Sequence, residues 1–397
     1  MRIGIDISWA QMGPSGTATY VVGLVEALAR VGPAHEYVLY TRQPARFGPA
    51  LPGLEVPNVT RVVVDAPLTN LRQQFALPPA LRRGRLDLYH SPAYFLPVAL
   101  PLLWRGPTVV DMFDLNFLRL RENWRAGRRA TYLSLALQVP VAARQATRII
   151  TLSTASARDI TRLLRVPPRK IDVVPAAPRD LFRAPPDPAQ VTRARARYGD
   201  FFLSVGVLAP QKNLERVVRA FARLDDPEDR QTRLVLAGHP AGGYADAVLR
   251  PLGRELGVAE RVVFAGATDD AELRALYYAA RALVYPSLGE GFGLPIVEAM
   301  ACGCPVVTSN ISSMPEVAGA AALLIDPHDS AAIAGAMRSL RRGHALRDDL
   351  VARGRVRATL FTWDEAARGT LRCYEEAMGL TTRSRGGAID AMPRPRR

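Results

Sequence analysis

The chain is 397 residues long, 48% hydrophobic and 22% charged, and carries a formal net charge of +15. That length exceeds what one core usually organises and asks for two domains, and that balance excludes a largely disordered chain. Almost all the positive charge is arginine, since Lys170 and Lys212 are the only lysines; with no recognised nucleic-acid module, it reads as a solvated basic surface able to touch an anionic membrane, with no nucleic acid as partner.

The first half opens directly on an apolar strand, "RIGIDIS", where a secretory leader would show a longer apolar run, so a reduced, cytoplasmic setting is expected. A glycine-bearing loop follows, and then a helix with Val21, Leu24, Val25 and Leu28 on one face. Further β-rich runs come at "EYVLYT", "VTRVVVD", "LDLYH", "PTVVDMFD" and "RIITLS", separated by helical or loop segments, which predicts a parallel sheet built from strand and helix units. Before the last of these, "ATYLSLALQVPVAA" is too short to span a bilayer, which takes about 20 apolar residues. With flanking arginines Arg125, Arg128, Arg129, Arg144 and Arg148 it suits either a helix lying on anionic lipid or a core-facing helix with a solvated arginine face.

Between Val173 and Gln190 the stretch "VVPAAPRDLFRAPPDPAQ" holds too many prolines for a helix or a central strand and marks a domain boundary. The alternation then restarts with "FFLSVGV", "TRLVLAG", "RVVFAG", "RALVYPS", "CPVVTS" and "AALLID", which predicts a second doubly wound domain. Cys302, Cys304 and Cys373 are an odd, sparse set without zinc spacing and read as small buried hydrophobes. A last helix is expected from Trp363 to Met378, followed by a basic tail rich in breakers. The fold class is α/β, two doubly wound Rossmann-like domains facing across a cleft; the expected bounds are 1–176, 177–362, a last helix at 363–379 and a tail at 380–397.

The chemistry concentrates in "SLGEGFGLPIVEAMACGCPVV", residues 287–307. A glycine loop leaves a strand and enters a helix with Pro295 in its first turn, so the amides of Phe292, Gly293 and Leu294 form an anion site suited to phosphate. Gly291 and Gly293 let a ligand approach the backbone. Glu290 and Glu298 bracket that site; carboxylates repel phosphate but accept hydrogen bonds from hydroxyls, as a nucleotide sugar offers on both sides of its diphosphate. A second anion site is read at "SVGVLAPQKNLERVVRAF", where a strand runs through Gly206 to Lys212, with Asn213 as a helix cap. "SSMPE" fits a capping box between Ser313 and Glu316. No Asp-x-Asp pair occurs, and backbone dipoles with Lys212 can stand in for a metal, so neither metal nor cofactor is expected.

At these residues the chain resembles retaining glycosyltransferases of the GT-B fold, family 4: "EGFGLPIVEAMACGCPVV" carries that family's E-x7-E motif, and weaker similarity covers nearly everything but the tail. The resemblance implies a nucleoside-diphosphate sugar held mainly by the C-terminal domain, a saccharide or lipid-linked saccharide acceptor held by the N-terminal one, and a last helix that crosses back. It places Glu290 at the transferred sugar, Glu298 at the ribose and Lys212 at the diphosphate; Asp114 joins the catalytic set, Gly16 and Gly206 the donor site, and Phe113 is a candidate sugar or acceptor contact, while His90, in "LYHSPAY", reads either as a further candidate contact of that kind or as a satisfied structural histidine. The sequence departs from the pattern where Val207 replaces an arginine, where "GTATY" offers Ala18 and Thr19 in a glycine-rich loop, and where Phe113 replaces a histidine. The expected function is hexose transfer, mannose by similarity to bacterial polysaccharide enzymes, with a nucleotide-sugar epimerase and a non-catalytic nucleotide-sugar-binding subunit as the rivals.

Overall fold

The computed structural model describes residues 1–8, 10–12, 15–42, 56–66, 72–119, 129–224, 226, 230–240 and 242–380. The basic tail and the arginines between 121 and 128 lie outside these residues. The chain divides into two units, one built from Met1–Leu115, Thr131–Ala177 and the chain from Thr362, the other centred on Pro178–Phe361. The short helix Asn116–Arg119 belongs with the second.

The first unit holds a seven-stranded parallel sheet: β1 (Arg2–Asp6), β2 (Glu36–Thr41), β3 (Val59–Val63), β4 (Leu88–Ser91), β5 (Thr108–Asp111), β6 (Arg148–Thr151) and β7 (Ile171–Val173), in the order β3-β2-β1-β4-β5-β6-β7. Its central strands are buried along almost their whole length, as a sheet covered on both faces demands. After β1 comes helix α1 (Gly16–Val31), capped by Ser15, whose hydroxyl accepts the Ala18 amide; the predicted face Val21, Leu24, Val25 and Leu28 is buried. Helix α2 (Arg129–Gln145) contains Pro140 and runs on through it. Strand β7 was not expected: three residues leading straight into the proline run look like linker, yet they pair in register with β6.

The second unit repeats the plan with β8 (Phe201–Val205), β9 (Arg233–Ala237), β10 (Val262–Gly266), β11 (Ala282–Tyr285), β12 (Val306–Ser309) and β13 (Leu323–Ile325), all parallel, in the order β10-β9-β8-β11-β12-β13. Its helices include α3 (Leu214–Phe221), α4 (Asp270–Ala279), α5 (Leu294–Ala301) and α6 (Met314–Ala318). One core face gathers Phe202, Leu234, Leu236, Val284 and Val307 from the strands and Val217, Val218 and Phe221 from α3.

The last helix, α7 (Trp363–Ala377), packs in the first unit against α1. Gly23 makes that contact close, since a Cβ there would lie 2.4 Å from the Trp363 ring. At the far end Arg148 of β6 binds Asp172 of β7 at 2.6 Å and Glu376 of α7 at 2.7 Å, tying two strands and the helix together.

Candidate active site

Each sheet reverses its strand order once, between β1 and β4 and between β8 and β11. In open parallel sheets ligands gather outside the carboxyl ends of the strands at such a reversal. In the second unit the two segments leaving that point are residues 206–213 and 286–293, which carry most of the residues marked in the sequence. Lys212 is the only cationic side chain in either segment.

Gly206 takes φ +121°, and a Cβ on it would lie 3.3 Å from Lys212 Cε, so glycine both supplies the turn and clears the lysine stem. Lys212 Nζ donates to Glu290 Oε1 at 2.6 Å and to the Tyr285 hydroxyl at 2.7 Å, and lies 4.9 Å from the centroid of the Tyr285 ring. Burial of the ammonium disfavours its charge, but Glu290 and Tyr285 outweigh that and hold its pKa above the ordinary lysine value. Burial, followed by the Glu290 charge, likewise pushes the Tyr285 phenol up, so the tyrosine stays neutral.

Four side chains fix the glycine loop. Gln211 Nε2 donates to Gly289 O at 2.6 Å, and Asn213 Nδ2 donates to Pro286 O at 3.0 Å and Pro327 O at 2.7 Å. Ser312 Oγ donates to Glu290 O at 2.9 Å and accepts the Glu290 amide at 3.2 Å, while Ser313 Oγ lies 3.0 Å from Glu290 O and 2.9 Å from Phe292 O. Two expectations are corrected here. Asn213 sits in the left-handed region with no side-chain cap bond, because its Oδ1 accepts Arg216 Nη1 at 2.9 Å while its Nδ2 is spent on the loop, and Ser313 has helical backbone and no cap bond, because its hydroxyl points at the glycine loop.

At the loop's end Gly293, φ +102°, turns the chain into α5, and Pro295 occupies its first turn. The first-turn amides of a helix have no intrahelical acceptor, and their dipoles favour negative charge. Phe292 offers backbone alone, since its ring is buried edge-on against Phe361. One turn into α5, Glu298 is 6% exposed and accepts the Tyr277 hydroxyl of α4 at 3.1 Å. Burial pushes its carboxyl up to about 7 against the opposing pull of Arg179 and the Tyr277 hydrogen bond. Gly206, Lys212, Glu290, Gly291, Phe292, Gly293, Leu294 and Glu298 thus all belong to the second unit.

Gly16, His90, Phe113 and Asp114 belong to the first. Gly16 is exposed and opens α1. The Asp114 amide donates to the Tyr94 hydroxyl at 3.1 Å. Phe113 is an interior aromatic, 8% exposed and edge-on to Tyr20 and Tyr94. Of the two readings of His90 the structural one fits: it is fully buried, with Nδ1 2.6 Å from the Tyr374 hydroxyl and Nε2 2.8 Å from Asp111 Oδ1, so neither ring nitrogen is left for a ligand.

Sequence reasoning missed Tyr285, Ser312, Gln211 and Tyr277. Tyr285 closes an apolar strand and reads as one more core residue; its place as the last residue before the glycine loop was the available signal.

Comparison with known proteins bears on this arrangement. Residues 14–177 match the family Glycosyltransferase Family 4, and residues 194–357 match Glycosyl transferases group 1. The chain is 33% identical over 306 residues to the O-antigen chain mannosyltransferase B of Escherichia coli, covering 75% of this chain and 76% of that one. Among solved structures it is similar to sucrose-phosphate synthase of Thermosynechococcus elongatus, with TM-score 0.76 and 23% identity over 96% of this chain and all of that one. It is also similar to HepE of Anabaena, solved with UDP and glucose, with TM-score 0.72 and 18% identity over 95% of this chain and all of that one.

Proposed function

The chain belongs to glycosyltransferase family 4, with the GT-B fold, and from that premise we propose that it moves a hexose from a nucleoside-diphosphate sugar to an acceptor hydroxyl with retained configuration. The observation that carries this reading is the Lys212–Glu290 pair on the two loops at the strand reversal, with Glu290 in the glycine loop that leads into the first turn of α5 and Glu298 one turn into that helix. In it the diphosphate lies against Lys212 and the amides of Phe292, Gly293 and Leu294, Glu298 accepts the ribose hydroxyls, and Glu290 accepts hydroxyls of the sugar.

The bond from the anomeric carbon to the diphosphate oxygen breaks, and the acceptor oxygen bonds to that carbon from the same face. The departing diphosphate takes the acceptor proton. Lys212 and the α5 amides stabilise the negative charge that grows on the leaving oxygen, the role a preorganised cation and dipoles fill in a water-poor site. That positive charge comes from the chain itself, so we include no metal or cofactor. Asp114 is assigned to the reacting end of the sugar, and Gly16 to the glycine-rich approach to the donor.

Mannose is the proposed sugar, on the strength of the mannosyltransferase relative, and cell-surface polysaccharide the proposed product class. The test is a panel of GDP-, UDP-, dTDP- and ADP-sugars, read by nucleotide release, product mass and the anomeric configuration of the product by NMR. Release with GDP-mannose and an α-linked product supports the reading; inversion at the anomeric carbon removes retention, and interconversion of donor sugars without transfer gives the epimerase instead.

Among the described residues no helix is long and apolar enough to cross a membrane. Contact with an anionic membrane surface is proposed for the first unit, where Leu133 and Leu137 of α2 are 56% and 66% exposed on the helix whose last turn carries the exposed Arg144. Val98, 52% exposed, is tied to the end of that helix by the bond from Gln145 Nε2 to its carbonyl, and Leu102, 84% exposed, follows in the short helix Leu100–Leu103. Binding to vesicles containing phosphatidylglycerol, weakened by salt and by Leu137→Glu, is the expected result; binding blind to both would remove it.

A further inference from the structure

Lys212 and Glu290 have separate tasks in transfer, one at the diphosphate and one at the sugar, yet in the structure each is the other's partner at 2.6 Å. Their side chains are only 18% and 12% exposed, so water does little to screen the attraction. The Glu290 backbone cannot drift away from this contact, because Ser312 bonds both its amide and its carbonyl. For Glu290 a change of partner is therefore a rotation of its side chain.

A diphosphate that reaches Lys212 meets a cation already neutralised. We infer that Glu290 is a built-in competitor of the diphosphate for Lys212, and that it sets how long the spent nucleotide stays. The inference rests on the donor site proposed above. With the intact donor bound, sugar hydroxyls engage the carboxylate and release Lys212 to the diphosphate. Once the sugar has left for the acceptor, nothing holds Glu290 away, and the carboxylate swings back to the ammonium. The diphosphate loses its counter-ion at the moment it has to depart. Tyr285 serves both states, because its neutral hydroxyl and ring hold the ammonium in place whichever anion faces it.

The consequence runs against the usual effect of removing an active-site residue: Glu290→Gln binds the free product better. The experiment is calorimetric titration of GDP, UDP, dTDP and ADP into wild type, Glu290→Gln, Glu290→Asp, Lys212→Met and the Glu290→Gln/Lys212→Met double variant, each checked for folding by its thermal transition. For the nucleotide that binds, Glu290→Gln is expected to be about tenfold tighter than wild type, a difference of about 1.4 kcal/mol. Glu290→Asp keeps the charge but, one methylene shorter on a pinned backbone, binds between wild type and Glu290→Gln. Lys212→Met is weaker, and the double variant is no tighter than Lys212→Met alone, because the competitor acts only through that cation.

Unchanged or weaker binding by Glu290→Gln, with Lys212→Met weakened as expected, overturns the inference and leaves the donor site standing. A gain that survives in the double variant also overturns it. Wild type that binds none of the four nucleotides overturns the donor site itself, and this inference with it.

Discussion

Tyr277 reaches from α4 to donate its hydroxyl to Glu298 on α5, both side chains being buried. The tyrosine favours the charged carboxylate, while burial opposes it and wins, leaving the carboxyl at about 7. In the proposed donor site the ribose is held by the ionised form, so the KM for donor should fall as pH rises from 6 to 8. Tyr277→Phe removes the bond that favours ionisation and should move that midpoint upward; Glu298→Gln should weaken donor binding roughly tenfold and flatten the profile. Donor KM measured at half-unit pH steps decides it.

The same carboxyl has an opposite effect on stability. Its folded value, about 7, lies above the ordinary 4.5, so the native state binds the extra proton. The stabilisation is complete below pH 4.5 and disappears as pH rises through 7. Glu298→Gln cannot lose it, so the variant should gain on wild type in thermal midpoint between pH 5 and pH 8.

Ser312 has φ +59°, a region that costs a non-glycine residue roughly 1 kcal/mol or more. Its hydroxyl offsets this by holding both polar groups of the Glu290 peptide. Ser312→Gly relieves the backbone but frees the loop; Ser312→Ala keeps the strain and loses the bonds. Both should lower kcat several-fold, with thermal stability falling further in the alanine variant. A kcat equal to wild type in both would remove the positioning role.

His90 links β4 to β5 through Asp111 and to α7 through Tyr374. Removing one partner of a buried polar cluster leaves the others unsatisfied, at a cost of about 1–3 kcal/mol each. His90→Phe and Tyr374→Phe should each lower the unfolding free energy by that order while leaving donor KM unchanged. A donor KM that rises without loss of stability would return His90 to the ligand.

Gly238 follows β9, and a Cβ added there would lie 1.9 Å from Gly206 O. Its φ of +147° also excludes ordinary side chains. Gly238→Ala must therefore push Gly206, and with it the seat of Lys212. Loss of at least about 2 kcal/mol of stability and a raised donor KM are expected, from chemical denaturation and steady-state kinetics.

Both sheets were readable in the sequence, because strands buried on both faces leave short apolar runs between helical ones; "RALVYPS" and "FFLSVGV" are too short for a helix and too apolar for a surface loop. Strand β7 escaped since three residues have no period and prolines follow at once. In the candidate site, the spacing that singled out Glu290, Lys212 and the glycines does correspond to residues on the two loops at one strand reversal, with Glu298 one turn into the following helix. Ser313 and Asn213 were misread because serine and asparagine before a helix look the same whether their polar groups face the helix or a loop far away in the chain. Tyr285 and Tyr277 were invisible for a similar reason: a hydroxyl on a buried ring matters only once another segment brings it a charge.

The partition of the chain also governs the order in which it can be completed on the ribosome. The second unit draws on Asn116–Arg119 and on Pro178–Phe361, and every described residue it needs has been made before Thr362 emerges. The first unit, begun earlier, still lacks α7, whose Trp363, Ala367, Thr370 and Tyr374 fill its interior. The half synthesised first is thus the half finished last, and until the final helix arrives its apolar groove over Tyr20 and Gly23 stays open to solvent and to whatever chaperone is at hand.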